Sequence, residues 1–95
     1  MTTHTMEADD LLVAAGRGDR AAFGEFYDRT VALIYPLLHG GLGDTERACE
    51  ATERVYASLW RGAPRFRPRR ECAYGVLLAA TRREIATAAG TGSRV

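Results

Sequence analysis

The stretch Asp44–Arg61, DTERACEATERVYASLWR, decides the class of fold. Ala48, Ala51, Thr52, Val55, Tyr56 and Leu59 recur at three- and four-residue intervals, which lines one face of an α-helix and fits no strand. Glu46, Glu50, Glu53, Arg54 and Ala57 fall on the other side. Asp44 stands where a side-chain oxygen caps the first turn. Glu50 and Arg54 are spaced to pair one turn apart, a contact worth about 0.3 kcal/mol.

The same period continues on both sides. Upstream, Asp19 is placed to cap a longer helix with Ala22, Phe23, Phe26, Tyr27, Val31, Ile34, Tyr35 and Leu38 on its apolar side. Pro36 predicts a kink or an early end, because an interior proline costs about 3 kcal/mol. His39-Gly40-Gly41-Leu42-Gly43 reads as the stop, with His39 beside the last carbonyls. Before it, Asp9 is placed to cap a short helix from Asp10 to Arg17, with Leu11, Leu12 and Ala15 inward and Gly18 ending it. Downstream, Pro64 and Pro68 mark residues 62–70 as a loop. A last helix is expected from Cys72 to Ala88, with Tyr74, Leu77, Leu78, Thr81, Ile85 and Ala88 on its buried face and Gly75, Ala79, Arg82, Arg83 and Ala86 opposite. No period-two run competes, so the expected fold is all-α, a small bundle of three main helices plus a short N-terminal one. The expected organisation is a flexible tail over 1–8, one helical domain over 9–89, and a tail or the start of a linker over 90–95.

Ninety-five residues suffice for one domain. No apolar run approaches the ~20 residues of a membrane span, and residues 1–10 lack the basic and apolar segments of a secretory signal, so the default location is the cytoplasm. Cys49 and Cys72 have no metal-ligand spacing and read as small buried hydrophobes. No nucleophile elbow, zinc-protease or phosphate-loop motif is present, so the reading is not an enzyme, with no metal, no cofactor and no small-molecule substrate.

The net charge of +1 conceals a division. Residues 1–60 hold five arginines against ten acids, a balance of −5, while residues 61–95 hold eight arginines against two acids, a balance of +6. Within the second part Arg61, Arg65, Arg67, Arg69 and Arg70 surround Phe66, and Trp60 and Tyr74 flank them. Guanidinium groups bridge phosphates and aromatic faces stack on unpaired bases, so the loop and the last helix point to a nucleic-acid surface. The bland alternative is a solvated basic loop, or one paired internally with the acidic first part.

The order of these parts resembles a known family. Asp10–Thr30, with Asp10-Leu11-Leu12 followed by Gly18-Asp19-Arg20-Ala21-Ala22-Phe23-Gly24-Glu25-Phe26-Tyr27-Asp28-Arg29-Thr30, is similar to the opening of extracytoplasmic-function (ECF) sigma factors. Leu42-Gly43-Asp44, Val55–Trp60, Pro64-Arg65-Phe66-Arg67-Pro68 and the helix Val76–Ile85 continue the likeness, which covers residues 9–89 and is weaker in its second part. It implies sigma region 2, an α-helical domain that binds the clamp of the RNA polymerase β′ subunit and opens the minus-ten element of promoter DNA. On that reading Glu50, Glu53 and Arg54 contact the clamp. Arg65, Phe66, Arg67, Arg69 and Arg70 face the non-template strand, and Arg82 and Arg83 hold phosphates. An anti-sigma factor is a further candidate partner.

The chain departs from the family pattern in places. Glu53-Arg54 stands for the usual Gln-Glu, Gly75 for Trp, Thr81 for Arg, Arg82 for Asn and Ala86 for Asp. Loss of the aromatic at Gly75 is expected to loosen the last helix unless Tyr74 or Trp60 fills the space. The alternative function is therefore a degenerate sigma-like protein-interaction module that binds polymerase, an anti-sigma factor or another regulator without promoter recognition. A complete factor also carries region 4, so the resemblance leaves open a fragment of a longer factor or a free-standing relative.

Overall fold

A computed structural model of the chain describes residues 7–92. Four α-helices run Ala8–Gly16 (α1), Arg20–Leu42 (α2), Thr45–Gly62 (α3) and Ala73–Gly92 (α4), with a 3-10 turn at Ala63–Arg65 after α3. There is no strand among the described residues, so the all-α bundle stands as read from the sequence. The N-terminal tail up to residue 6 and residues 93–95 lie outside the described residues. Ala8, assigned to the tail, opens α1 and is buried, and α4 continues past the expected end at Ala88.

Two caps form as the sequence implies. Asp19 accepts from the Ala22 N–H at 3.0 Å and Asp44 from the Arg47 N–H at 2.8 Å, each satisfying one of the donors a helix start leaves over. Gly43 closes α2 with φ +74°, a conformation glycine adopts without steric cost, and its N–H returns to the His39 carbonyl at 2.8 Å. Asp9 does not cap α1. Glu7 precedes that helix without a side-chain bond, and Asp9 sits inside its first turn.

α2 passes through Pro36 to Leu42 and does not end early. The missing N–H removes one bond, but Ile34 and Leu38 on either side are 1% and 0% exposed. Each such side chain gains about 1.5–3 kcal/mol on burial, and the pair outweighs a proline cost of about 3 kcal/mol.

α2 packs against all three other helices, and its row Ala22, Phe26, Thr30, Ile34 and Leu38 is buried throughout. The α3 stripe is buried as expected at Ala48, Ala51, Thr52, Val55, Tyr56 and Leu59. The polar members of this core are all bonded. Thr30, Thr52 and Thr81 donate to the carbonyls of Phe26, Ala48 and Leu77 one turn back, at 2.8, 2.7 and 2.9 Å. Thr30 has spent its proton, so the Tyr56 hydroxyl donates to Thr30 Oγ1 across the α2–α3 interface. Burial raises the Tyr56 pKa, and nearby Tyr27 assists.

α4 is rotated relative to the expected face. Ala73, Leu77, Ala80 and Thr81 are buried, whereas Tyr74 and Leu78 are 44% and 36% exposed. Gly75 also faces outward, so the missing aromatic leaves no hole in the core for Tyr74 or Trp60 to fill. Trp60 packs edge-on to Phe23 with ring centroids 5.3 Å apart.

At the end of α1 a Cβ on Gly16 would lie 2.6 Å from the Ala63 carbonyl oxygen and 2.9 Å from its carbon. Both are backbone atoms that cannot swing aside. Gly16→Ala is therefore expected to destabilise the chain by about 1–3 kcal/mol in urea unfolding, with part of that loss relieved only by movement of the 3-10 turn.

The buried hydroxyl pair gives a second expectation. Thr30→Val strands the Tyr56 hydroxyl and should cost about 1–3 kcal/mol, while Thr30→Val with Tyr56→Phe should recover much of it. Because the folded pKa of Tyr56 lies above the unfolded value, its contribution is complete below about pH 10 and fades as pH rises through the folded pKa. Tyr56→Phe should flatten that alkaline loss in a stability–pH series.

Candidate nucleic-acid interface

The segment from the end of α3 to the start of α4 carries five of the thirteen arginines. Phe66 follows the 3-10 turn with extended backbone (φ −63°, ψ 131°), which sends successive side chains to opposite sides. Arg65 and Arg67 are exposed and Phe66 between them is 6% exposed, among the core residues. The sequence places Phe66 on the nucleic-acid face, but the structure uses it as the anchor that pins the loop down. An apolar ring flanked by arginines has more to gain inside than any neighbour.

The loop closes on itself. The Arg70 and Glu71 N–H groups donate to the Arg67 carbonyl at 2.9 and 3.1 Å, and the Arg67 N–H donates back to Glu71 Oε2 at 3.2 Å. The Arg67 guanidinium donates to the carbonyls of Pro64 and Phe66 at 3.3 and 3.2 Å, so this arginine also staples the turn.

Arg61, Arg65, Arg69, Arg70, Arg82 and Arg83 are exposed. The two ion pairs among the described residues are Arg29–Glu25 and Arg54–Glu84, and neither uses an arginine of the 61–83 stretch. Internal neutralisation by the acidic first part is thus not how these charges are held.

Arg65 and Arg83 are brought together by a cleft of about 250 Å³ between the loop and α4, walled by Phe66 and Val76, with Glu71 at its edge. Arg67 lines a separate cleft of about 180 Å³ with Arg17 of the α1–α2 turn. Arg69, Arg70 and Arg82 line neither. Sequence reasoning missed Arg17, which lies fifty positions away and arrives only because Gly16 lets α1 touch the backbone of Ala63.

The start of α4 is held by two side chains. Cys72 Sγ accepts from the Gly75 N–H at 3.3 Å, and Asp9 Oδ1 of α1 accepts from the Ala73 N–H at 2.7 Å. Cys49 and Cys72 are both exposed, contrary to the expected burial. Cys49 falls beside the buried α3 stripe rather than within it, and Cys72 stands at a helix start, outside the packed turns.

On α3, Glu50 and Glu53 are exposed. Arg54 reaches α4, where its Nε donates to Glu84 Oε1 at 2.9 Å, instead of pairing with Glu50. Its side chain is 58% exposed, so the pair is worth about 0–1 kcal/mol. Glu53 borders an open groove of about 530 Å³ between α2 and α3, floored by Tyr27, Val31, Tyr35 and Cys49. A second groove of about 490 Å³ shares Tyr27 and extends past Phe23 to Trp60, with Arg20 and Asp28 at its rim. Of these, Phe23, Tyr27, Val31, Tyr35 and Cys49 were read from the sequence as core, since a helical stripe does not show where it meets solvent. Among the described residues no three side chains converge as a metal site, and no helix is long and apolar enough to cross a membrane.

Over 60 residues, 63% of its length, the chain is 40% identical to the ECF RNA polymerase sigma factor SigK of Mycobacterium tuberculosis (strain ATCC 25618 / H37Rv). The chain carries a region of the ECF sigma-70 family. SigK of Mycolicibacterium vanbaalenii is 39% identical over 64 residues, and SigK of Mycobacterium ulcerans 38% over 66 residues, covering 67% and 66% of this chain. The sigma-family chain spans about a third of the length of these curated relatives, 32%, 33% and 35% in turn. No family model and no solved structure matches it.

The two exposed thiols of this sigma-family region are expected to react with a thiol reagent in the native state, without denaturant. A native titration that reaches only one of the two before unfolding would contradict the observed exposure.

Proposed function

We propose that the chain is a sigma region 2-like transcription-initiation domain. On this reading the α2–α3 groove with Glu50 and Glu53 receives the β′ clamp of RNA polymerase, and the loop and α4 hold minus-ten promoter DNA. One observation carries the reading: an exposed acidic edge on α3 and a run of exposed arginines each have a recess beside them. The acidic α3 surface borders an apolar groove fit for a helix, while the arginines of residues 61–83 stand exposed without an acidic partner among the described residues. Similarity to ECF sigma factors supports the same assignment.

The residues divide by role. Arg65 and Arg83, facing one cleft, suit a single phosphate or strand junction, and Arg69, Arg70 and Arg82 add field around it. Arg67 mainly shapes the loop. Phe66 supports from beneath, so any stacking on bases falls to an exposed ring such as Tyr74. Arg54, tied to Glu84, presents a neutralised pair to the clamp in place of a bare positive charge.

Burial of Phe66 also favours the second reading, a protein-interaction module that docks through the groove without reading DNA. The two native thiols separate the readings, since Cys49 lines the groove and Cys72 borders the basic loop. A minus-ten single-stranded oligonucleotide should bind with a log K versus log salt slope of about −2 to −4, and Arg83→Ala should reduce the slope by about 1. The oligonucleotide should shield Cys72 from a thiol reagent, and isolated clamp helices should shield Cys49. Shielding of Cys49 with no oligonucleotide binding would select the interaction module, and salt-independent binding would remove the phosphate contacts from the account.

A further inference from the structure

We infer that Asp9, in the first turn of α1, is a positioning residue for the basic face, an inference that rests on the nucleic-acid reading above. Its carboxylate accepts from the Ala73 N–H at 2.7 Å across sixty-four positions of sequence. It therefore stands at the starts of two helices at once, α1 by position and α4 by hydrogen bond. Both starts carry the positive end of a helix dipole, so one negative charge is favourable to each and fixes where they meet.

α4 has little else to define its beginning. The eight residues before it hold four of the arginines, Arg65, Arg67, Arg69 and Arg70, spread over the turn and loop, and the remaining cap is the thiol of Cys72, a weak acceptor. The Ala73 N–H lies two residues past Glu71, which closes the Arg67–Glu71 turn. Fixing Ala73 therefore fixes the exit of the arginine loop and the register at which α4 presents Arg82 and Arg83. α1 supplies the reference point, and its other end abuts the 3-10 turn through Gly16.

The inference makes a prediction whose sign opposes simple electrostatics. An acid close to a phosphate-binding face repels DNA, so its removal alone should tighten binding. Asp9→Asn removes the charge and keeps an oxygen that can accept from Ala73. Asp9→Ala removes both. With a fluorescent minus-ten oligonucleotide, well below the unfolding temperature of each variant, Asp9→Asn should bind as tightly as the wild-type chain or tighter. Asp9→Ala should bind about threefold or more weakly despite its more positive charge. Hydrogen exchange at Ala73 and across Arg69–Glu71 should accelerate in Asp9→Ala and stay near wild type in Asp9→Asn. Asp9→Ala binding as well as Asp9→Asn, or exchange unchanged in both, overturns the inference and leaves the nucleic-acid reading standing. A wild-type chain that ignores the oligonucleotide removes the reading and the inference with it.

Discussion

The row Ala22, Phe26, Thr30, Ile34 and Leu38 is the constraint on which the rest of the molecule depends. It is the buried face of α2, the helix that packs against α1, α3 and α4. At its centre Thr30 returns its proton to its own helix and accepts from Tyr56, so a polar pair sits in the middle of an apolar seam with both hydroxyl protons used. No buried side-chain nitrogen or oxygen among the described residues lacks a hydrogen-bond partner. This fixes the α2–α3 register more tightly than apolar contact alone, because a shift by one turn would leave the Tyr56 hydroxyl stranded.

Legibility in the sequence followed the range of the interactions. The buried stripe of α3 could be read from the sequence, since its apolar positions separate cleanly and Asp44 caps it locally, whereas Cys49 and the partner of Arg54 could not. α4 could be found but not oriented. Val76, Leu77, Leu78, Ala79 and Ala80 are consecutive apolar residues, so more than one face satisfies the helical period, and packing against α2 and α3 chose between them. Asp9 illustrates the opposite limit. The residue looks like a local cap, and nothing nearby in sequence reveals that its partner is Ala73.

The candidate site shows the same split. Exposure of the arginines could be anticipated from their density, because so many like charges cannot be buried together. The fate of Phe66 could not, since a lone aromatic in a basic loop serves a ligand or the core equally well until the core is known. Arg54 is similar: its sequence neighbour Glu50 offered a partner, and the fold supplied Glu84. α4 thus faces two ways, with Glu84 paired to Arg54 of α3 and Arg83 lining the cleft beside Arg65.

The sequence contains one tryptophan, and it stands at the boundary between those two sides. Trp60 meets Phe23 edge-on, borders the aromatic groove with Arg20 and Asp28, and also borders the recess holding Arg61 and Arg65. Its indole is half-buried, where polarity changes at either surface reach it. The chain accordingly carries a single intrinsic optical reporter common to both faces, whose emission registers occupancy of either one without an added label.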